Sequence, residues 1–311
     1  MMSCPACESR PHYQAAMFQF PGRPLSLARR LTVHNRVVHR LRRFMLDEGF
    51  HEIPVPDATA PAAADEHPGG PLPPPDGDPA LTSRCGRLFL GGMIRRGFPA
   101  VWCESGSASC DWEVDHRHRA GAKLIEAERK DLSLTGLLDL LERLLQTVAA
   151  DLSAELLGGR QVTRLDRMIH SDHPRLTYRE ALAILAGKGW SIPFGGDLHL
   201  GAAATLSRHC GNLPALVTHF PTGSRHAGSR ADDDDPATCR SVAYILPYAG
   251  GGVDGGVRAD APERAGFGLS VARVLQYLMG LESVQDALIH PLAMTGGLGP
   301  VAGRRAAEAS E

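Results

Sequence analysis

Residues 265–291 read AGFGLSVARVLQYLMGLESVQDALIHP and hold the pattern best suited to chemistry. Gly266 and Gly268 alternate with apolar residues and run into Val271, Val274, Leu275 and Leu278, the spacing of one helix face. Glycine has no Cβ, so a ligand can approach such a strand closely. Arg273 adds a cation in the first turns of that helix. The same residues also suit a buried strand–helix packing unit with a surface arginine. Asp115, His116, Arg117, His118 and Arg119 form a second charged cluster. It reads either as a phosphate grip or as a solvated hairpin tip, and His116 with His118 lacks a third metal ligand. Cys4 and Cys7 are spaced C-x-x-C, with His12 as a third candidate, but no fourth ligand is nearby. A frayed, reduced N-terminus is the simpler reading of them.

Helices and strands must position these groups. Residues 25–49 predict a long helix with a stripe of Leu31, Val37, Val38, Leu41, Phe44, Met45 and Leu46 beside Arg30, Arg36, Arg40, Arg42 and Arg43. Gly49 is its stop signal, and an extended run reaches Pro56. Residues 58–79 are rich in Ala, Pro, Gly and Asp and read as a flexible loop. A short helix is expected near 91–97 and an amphipathic helix over 131–156. Thr177 with Glu180 predicts a capping box. Residues 213–221 and 239–246 read as buried strands. Asp232 to Asp235 reads as a solvated acidic loop.

The chain has 311 residues and a formal net charge of −2, which removes bulk attraction to nucleic acid. Aromatic residues are 5%, too few to suggest base-stacking platforms. No apolar run approaches the roughly 20 residues of a membrane span. No signal-peptide pattern opens the chain. A soluble, cytoplasmic protein is expected. The seven cysteines are scattered and do not suggest a disulfide framework.

Several stretches together resemble the class II aminoacyl-tRNA synthetases, closest to the asparaginyl/aspartyl branch. The third signature of that family, G-Φ-G-Φ-G-Φ-E-R with Φ apolar, is similar to Gly266 through Arg273, with Ser270 at the third glycine and Ala272 at the glutamate. The helix, Glu48-Gly49-Phe50 and the run to Pro56 resemble its first motif. Residues 81–103 resemble the approach to its second motif. There the phosphate-gripping arginine falls on Ser109 and the following glutamate on Asp111, while Arg117 and His118 match the far side of the loop. Leu124 to Glu128 match its closing strand. Residues 250–258 look like the family's "GIGEIVGGSQR", with the magnesium-binding glutamate aligned to Gly252. Asp254 is then the nearest carboxylate, two positions on. Gly195 to Leu198 resemble a substrate turn whose glutamate falls on Gly201. His219 stands where the family has an aspartate, and Arg225 and Arg230 fall on basic positions.

The resemblance implies an α+β fold: an antiparallel sheet flanked by helices, over residues 25–292. An irregular segment 1–24 would precede it and a frayed tail 293–311 would follow. Motif one begins near residue 25, so no anticodon-binding β-barrel is expected, as in the asparagine-synthetase relatives of asparaginyl-tRNA synthetase. It implies ATP and Mg²⁺ as cofactors, with Arg273 and Asp254 catalytic and Asp254 on the metal. Gly266, Gly268, Arg117, His118, Arg258 and Arg273 would hold the nucleotide. Arg225, Arg230, Gly255 and Gly256 would hold an amino-acid-like substrate. A homodimer through residues 25–56 is implied, and tRNA is a disfavoured partner. Two functions follow. One is an ATP-dependent, AMP-forming ligase that passes an activated amino-acid carboxylate to a non-tRNA acceptor of specialised metabolism. The other is a non-catalytic paralogue acting as a dimeric binding module.

Overall fold

The structure, a computed structural model, describes residues 25–55, 86–107, 122–223 and 228–289. The terminal segments 1–24 and 293–311, the loop 58–79 and Pro56 lie outside the described residues. Helix α1 spans Leu27–Asp47 and opens on Ser26, whose hydroxyl accepts from the Arg29 amide at 3.4 Å. It buries Val33, Val37, Leu41, Phe44 and Met45. Its run ends just before Gly49, which takes a φ of 79° that other residues rarely adopt. Strand β1 is only His51–Glu52. The extended run after it includes Pro54, which has no amide to give a ladder.

Helix α2 covers Arg87–Arg95, earlier than expected, and Gly97 closes its exit at φ 100°. Strands β2, Ala100–Ser107, and β3, Ala122–Lys130, follow. Helix α3 is Leu134–Ala150, capped by the Ser133 hydroxyl on Gly136. It is shorter than the expected 131–156 because the chain breaks at Asp151 and restarts as α4, Ala154–Leu157. Next come α5, Gly159–Ile169, and β4, Arg175–Thr177. Helix α6, Tyr178–Ala186, carries the Thr177–Glu180 capping box that the sequence predicts. Helix α7, Leu200–His209, leads to β5, Ala215–Thr218, and β6, Ser241–Leu246. Strands β7, Gly250–Val257, and β8, Arg264–Ser270, precede α8, Val271–Met279.

These strands form one eight-stranded sheet in the order β1-β2-β3-β8-β7-β6-β5-β4. The six central strands pair antiparallel, as expected. Both edges depart from that pattern: β1 lies parallel to β2, and β4 parallel to β5. Each edge pair is separated by intervening helical chain, the kind of connection a parallel pair requires.

Alternation sends β-strand side chains to two faces. One face, with Ile125, Ala127, Val253, Phe267 and Leu269, packs with residues of α1, α3, α5 and α8 into the main core. On the other face α2 covers Val101 and Cys103 of β2, while α6 and α7 cover Val217, Ala243 and Ile245 of β5 and β6. Between those two covers lies β8.

One polar group is sealed on the helix side. His173 is 2% exposed; its Nε2 donates to the Met168 carbonyl at 3.1 Å, and its Nδ1 contacts the Tyr244 hydroxyl. Burial holds its pKa below the ordinary histidine value, and burial pushes the Tyr244 phenol well up. A histidine depressed in the fold binds its proton more readily unfolded, so stability is full above about pH 6.5 and falls as pH drops towards the folded value. The urea midpoint should therefore decline from pH 7.5 to 5.5, and His173→Gln should flatten that slope. An equal slope in both proteins would remove His173 from the account.

Candidate functional site

The site is built on the partly open face over β8. Register sets Glu126 of β3, Gly268 of β8, Asp254 of β7 and Ala243 of β6 in one line across four strands. The next line along carries Glu128, Gly266, Gly256 and Ser241. Gly268 is partly exposed, so the strand shows backbone between the two acidic strands. Gly266 is buried, and a Cβ there would lie 2.7 Å from Glu128 Cγ. Of the two glycines expected to floor a cleft, Gly268 is placed to do so and Gly266 is a packing residue.

Glu126 and Glu128 define one wall. Glu126 is 1% exposed, and its Oε2 accepts from the Gly86 amide and the Ser105 hydroxyl, both at 2.5 Å. This ties the entry to α2 and the β2 strand to β3. Glu128 is 2% exposed and accepts from Arg258 Nε at 2.9 Å and Arg264 Nε at 2.7 Å. Arg264 also pairs with Asp260 at 2.8 Å, and Asp260 with Arg95 of α2 at 3.3 Å. Burial raises the Asp260 carboxyl, but the Arg264 guanidinium more than offsets this and holds it below the usual value. Arg258, expected on the nucleotide, is thus committed to a buried carboxylate.

Arg273 lies at the opposite end of β7. Its Nη1 donates to the Ala249 carbonyl at 2.8 Å, against the β6–β7 turn. A Cβ on Gly250 would stand 3.6 Å from that nitrogen and 3.4 Å from Leu200 Cδ1 of α7. Arg273 therefore marks the Gly250 end of the open face, while Arg258 marks the Glu128 end. The two arginines do not face one another across a cleft mouth.

The metal expectation fits poorly. Between Tyr244 and Ile245 the pairing slips, so that Ile245 meets Gly251 while Tyr244 meets Val253. This bulge turns Gly252 to the helix side, where a Cβ would meet Leu246 Cδ1 at 2.5 Å and stand 3.6 Å from Arg273 Cβ. Gly251 shares the register line, and so the face, of Ile245. Neither residue carries an oxygen ligand. Among the described residues no three His, Cys, Asp or Glu side chains converge. Asp254 alone does not make a magnesium centre.

The expected substrate groups are also redistributed. Gly255 faces the helices, with Phe267 Cβ 3.1 Å from where its own Cβ would be. Gly256 is covered by Ser229 Oγ, 2.8 Å from its missing Cβ. Neither glycine offers an open surface to a ligand. Arg230 is half-buried and pairs with Asp233 at 3.5 Å and Glu263 at 3.7 Å. His219, at φ 56°, places Nδ1 2.8 Å from Thr218 Oγ1 and Nε2 3.8 Å from Asp232. Arg117, His118, Ser109, Asp111 and Arg225 lie outside the described residues. Sequence reasoning missed the structural weight of Glu126 and Glu128. The signal was their alternation with apolar Ile125 and Ala127 inside a strand.

No family model matches the chain. It is 24% identical over 290 residues to the aspartate–tRNA(Asp/Asn) ligase of Archaeoglobus fulgidus, covering 83% of this chain and 66% of that one. It is 24% identical over 315 residues to human asparaginyl-tRNA synthetase, covering 84% and 66%. The chain thus spans about two thirds of the length of these relatives. Among solved structures it matches asparaginyl-tRNA synthetase from Pyrococcus horikoshii complexed with asparaginyl-adenylate, with TM-score 0.75 at 21% identity over 85% of this chain and 68% of that one. The Entamoeba histolytica asparaginyl-tRNA synthetase in complex with asparaginyl-adenylate gives 0.70 at 19%, covering 85% and 67%. The fold is that of a class II aminoacyl-tRNA synthetase catalytic core. The relatives and solved structures that it resembles are asparaginyl- and aspartyl-tRNA synthetases.

Removing one partner from a buried ion-pair group leaves uncompensated charge and costs about 3–5 kcal/mol. Glu128→Ala strands two buried arginines and should lower unfolding free energy by about that amount, read by urea denaturation. A loss below about 1 kcal/mol, typical of an exposed pair, would show that the arginines find other partners cheaply.

Proposed function

We propose that the open face is a nucleotide-dependent carboxylate-activating site, and that the chain is an AMP-forming ligase. The observation that carries this reading is Arg273 at the Gly250 end of a face paved with glycine, in a fold shared with synthetases solved with an asparaginyl-adenylate. The proposed step joins an amino-acid carboxylate to the α-phosphorus of ATP and releases pyrophosphate. Arg273 meets the negative charge of the leaving phosphates with a fork of donors. The partly exposed backbone at Gly268 lets the flat acyl-adenylate lie against the sheet. Asp254 flanks that glycine on the same face, and its carboxylate suits the substrate's ammonium group. No step is drawn through a metal. Release of the acyl group to a small amine or thiol completes the cycle. The preference for a small acceptor over tRNA rests on charge: at −2 this sequence has no surplus of cations to neutralise a phosphate backbone. ATP–pyrophosphate exchange across amino acids tests the reading.

A second reading, a non-catalytic dimeric binding module, is favoured by the absence of a carboxylate at Gly251 and Gly252. It predicts ligand binding without exchange.

Both readings include a homodimer through residues 25–56. Leu27, Leu31 and Leu46 are 52%, 44% and 57% exposed along α1, beside Arg36, His39, Arg40 and Arg43. An apolar stripe with an arginine border is the composition of an interface core and rim. Light scattering at micromolar concentration should return twice the 33.3 kDa chain mass, and a monomer would remove the dimer.

Preorganised donors are worth about 10²–10³ in turnover when one is removed. Arg273→Ala should lower exchange by that factor while leaving the thermal midpoint nearly unchanged. Unaltered exchange would detach Arg273 from the chemistry.

A further inference from the structure

We propose that Asp232 and His219 form a subsite for an ammonium group on the β5 side of the open face. The subsite stands on its own geometry. Only the last step of its test uses the nucleotide reading given above.

His219 follows the last residue of β5, and its amide donates to the Ser241 carbonyl at 3.2 Å. Ser241 shares a register line with Gly256 and Gly266, so His219 stands at the β5 end of that line. Its φ of 56° lies in the left-handed region, which residues other than glycine seldom enter. Such strain persists only where the surroundings hold it, and it gathers at ligand sites. Here the Phe220 amide donates to Ser241 Oγ at 3.2 Å and the Cys239 amide to the Phe220 carbonyl at 2.8 Å, which pins the chain on both sides. The imidazole keeps 32% of its surface exposed.

Asp232 departs from the solvated acidic loop that the sequence suggests. Asp233 pairs with Arg230 and Arg240, Asp235 pairs with Arg179, and Asp234 is exposed. Asp232 is instead 9% exposed, with its amide on the Thr238 carbonyl at 2.9 Å. Among the described residues its carboxylate accepts no hydrogen bond. Its one ionic neighbour is His219 Nε2 at 3.8 Å, too long for a hydrogen bond. A buried carboxylate left in that state is costly, and a donor with positive charge removes the cost.

The order of hydrogen bonds decides what Nε2 carries. Thr218 Oγ1 has one hydrogen, and it goes to the Leu176 carbonyl at 3.2 Å. Towards His219 that hydroxyl can only accept, so Nδ1, 2.8 Å away, holds a proton. In the neutral ring Nε2 is then a bare acceptor. Nε2 and the Asp232 carboxylate are two acceptors facing one another with no proton between them. A primary ammonium carries three donors and a charge, so it bridges both. A neutral amide offers the donors without the charge, and a quaternary ammonium the charge without the donors.

The test is NMR of the full chain with labelled histidine in neutral buffer, His219→Gln identifying the His219 signals. Methylammonium is the probe. The expected result is an unprotonated Nε2 whose signal moves saturably with millimolar methylammonium. Asp232→Asn should weaken that binding by at least about tenfold, because the charge goes while the shape stays. Tetramethylammonium, which has the charge and no N–H, should bind at least about tenfold more weakly to the unaltered chain. A protonated Nε2, no movement with methylammonium, equal binding of the two cations, or binding unchanged in Asp232→Asn overturns the proposal. Should Asp232→Asn fail to fold, the contrast between the two cations decides alone. None of these arms contains ATP, so failure of the nucleotide reading leaves them intact. Lysine added together with ATP then locates the group. Affinity at least about tenfold above that of methylammonium puts the ammonium on the side chain of the activated acid, and affinity no higher puts it on the acceptor amine.

Discussion

The buried carboxylate of Glu128 is the interaction on which the rest of the site depends. It lies on β3 and accepts from Arg258, just past the end of β7, and from Arg264, at the start of β8. Arg264 continues to Asp260, and Asp260 to Arg95 on α2. Three strands and the helix above them are joined through one chain of charges. Taking charges out of water is costly, and only mutual pairing with good geometry offsets the cost. The network therefore tolerates few arrangements. It fixes α2 against the sheet and so fixes one wall of the open face.

That wall also decides where a ligand's charge can go. At the Glu128 end, cations and carboxylates already balance one another. At the Gly250 end a guanidinium rests on a carbonyl beside bare glycine. In the proposed reading, a ligand's anionic part lies at the second end and its cationic part near Asp254 of β7. The polarity of the face comes from register, because Glu126, Gly268 and Asp254 fall on one line and Glu128, Gly266 and Gly256 on the next. One residue of slip on β7 would turn Asp254 into the core and undo that polarity.

Much of this was legible in the sequence. The helix over 25–49, the Thr177 capping box and the turn from glycine strand to helix at Ser270 all carried local signals, and each formed close to its expected bounds. The fold class followed from such elements occurring in one order. What stayed hidden was long-range. No local pattern announces that Arg258 will be captured by a glutamate 130 residues away. Nor does spacing reveal a bulge, and the bulge reversed the face of Gly252. Glycine itself was ambiguous. At Gly268 it opens the floor, whereas at Gly255, Gly256 and Gly266 the missing Cβ makes room for a neighbouring strand or loop. Only packing separates the two uses.

The central claim is that the face over β8 holds a nucleotide with its phosphates at the Gly250 end. Photo-crosslinking with an ATP analogue carrying its reactive group on the terminal phosphate, followed by peptide mapping, tests this most directly. The account predicts label on the peptides containing residues 249–254 and 270–276, competed away by unlabelled ATP. Competable label confined to α1, or to the Arg258 end of β7, would contradict it.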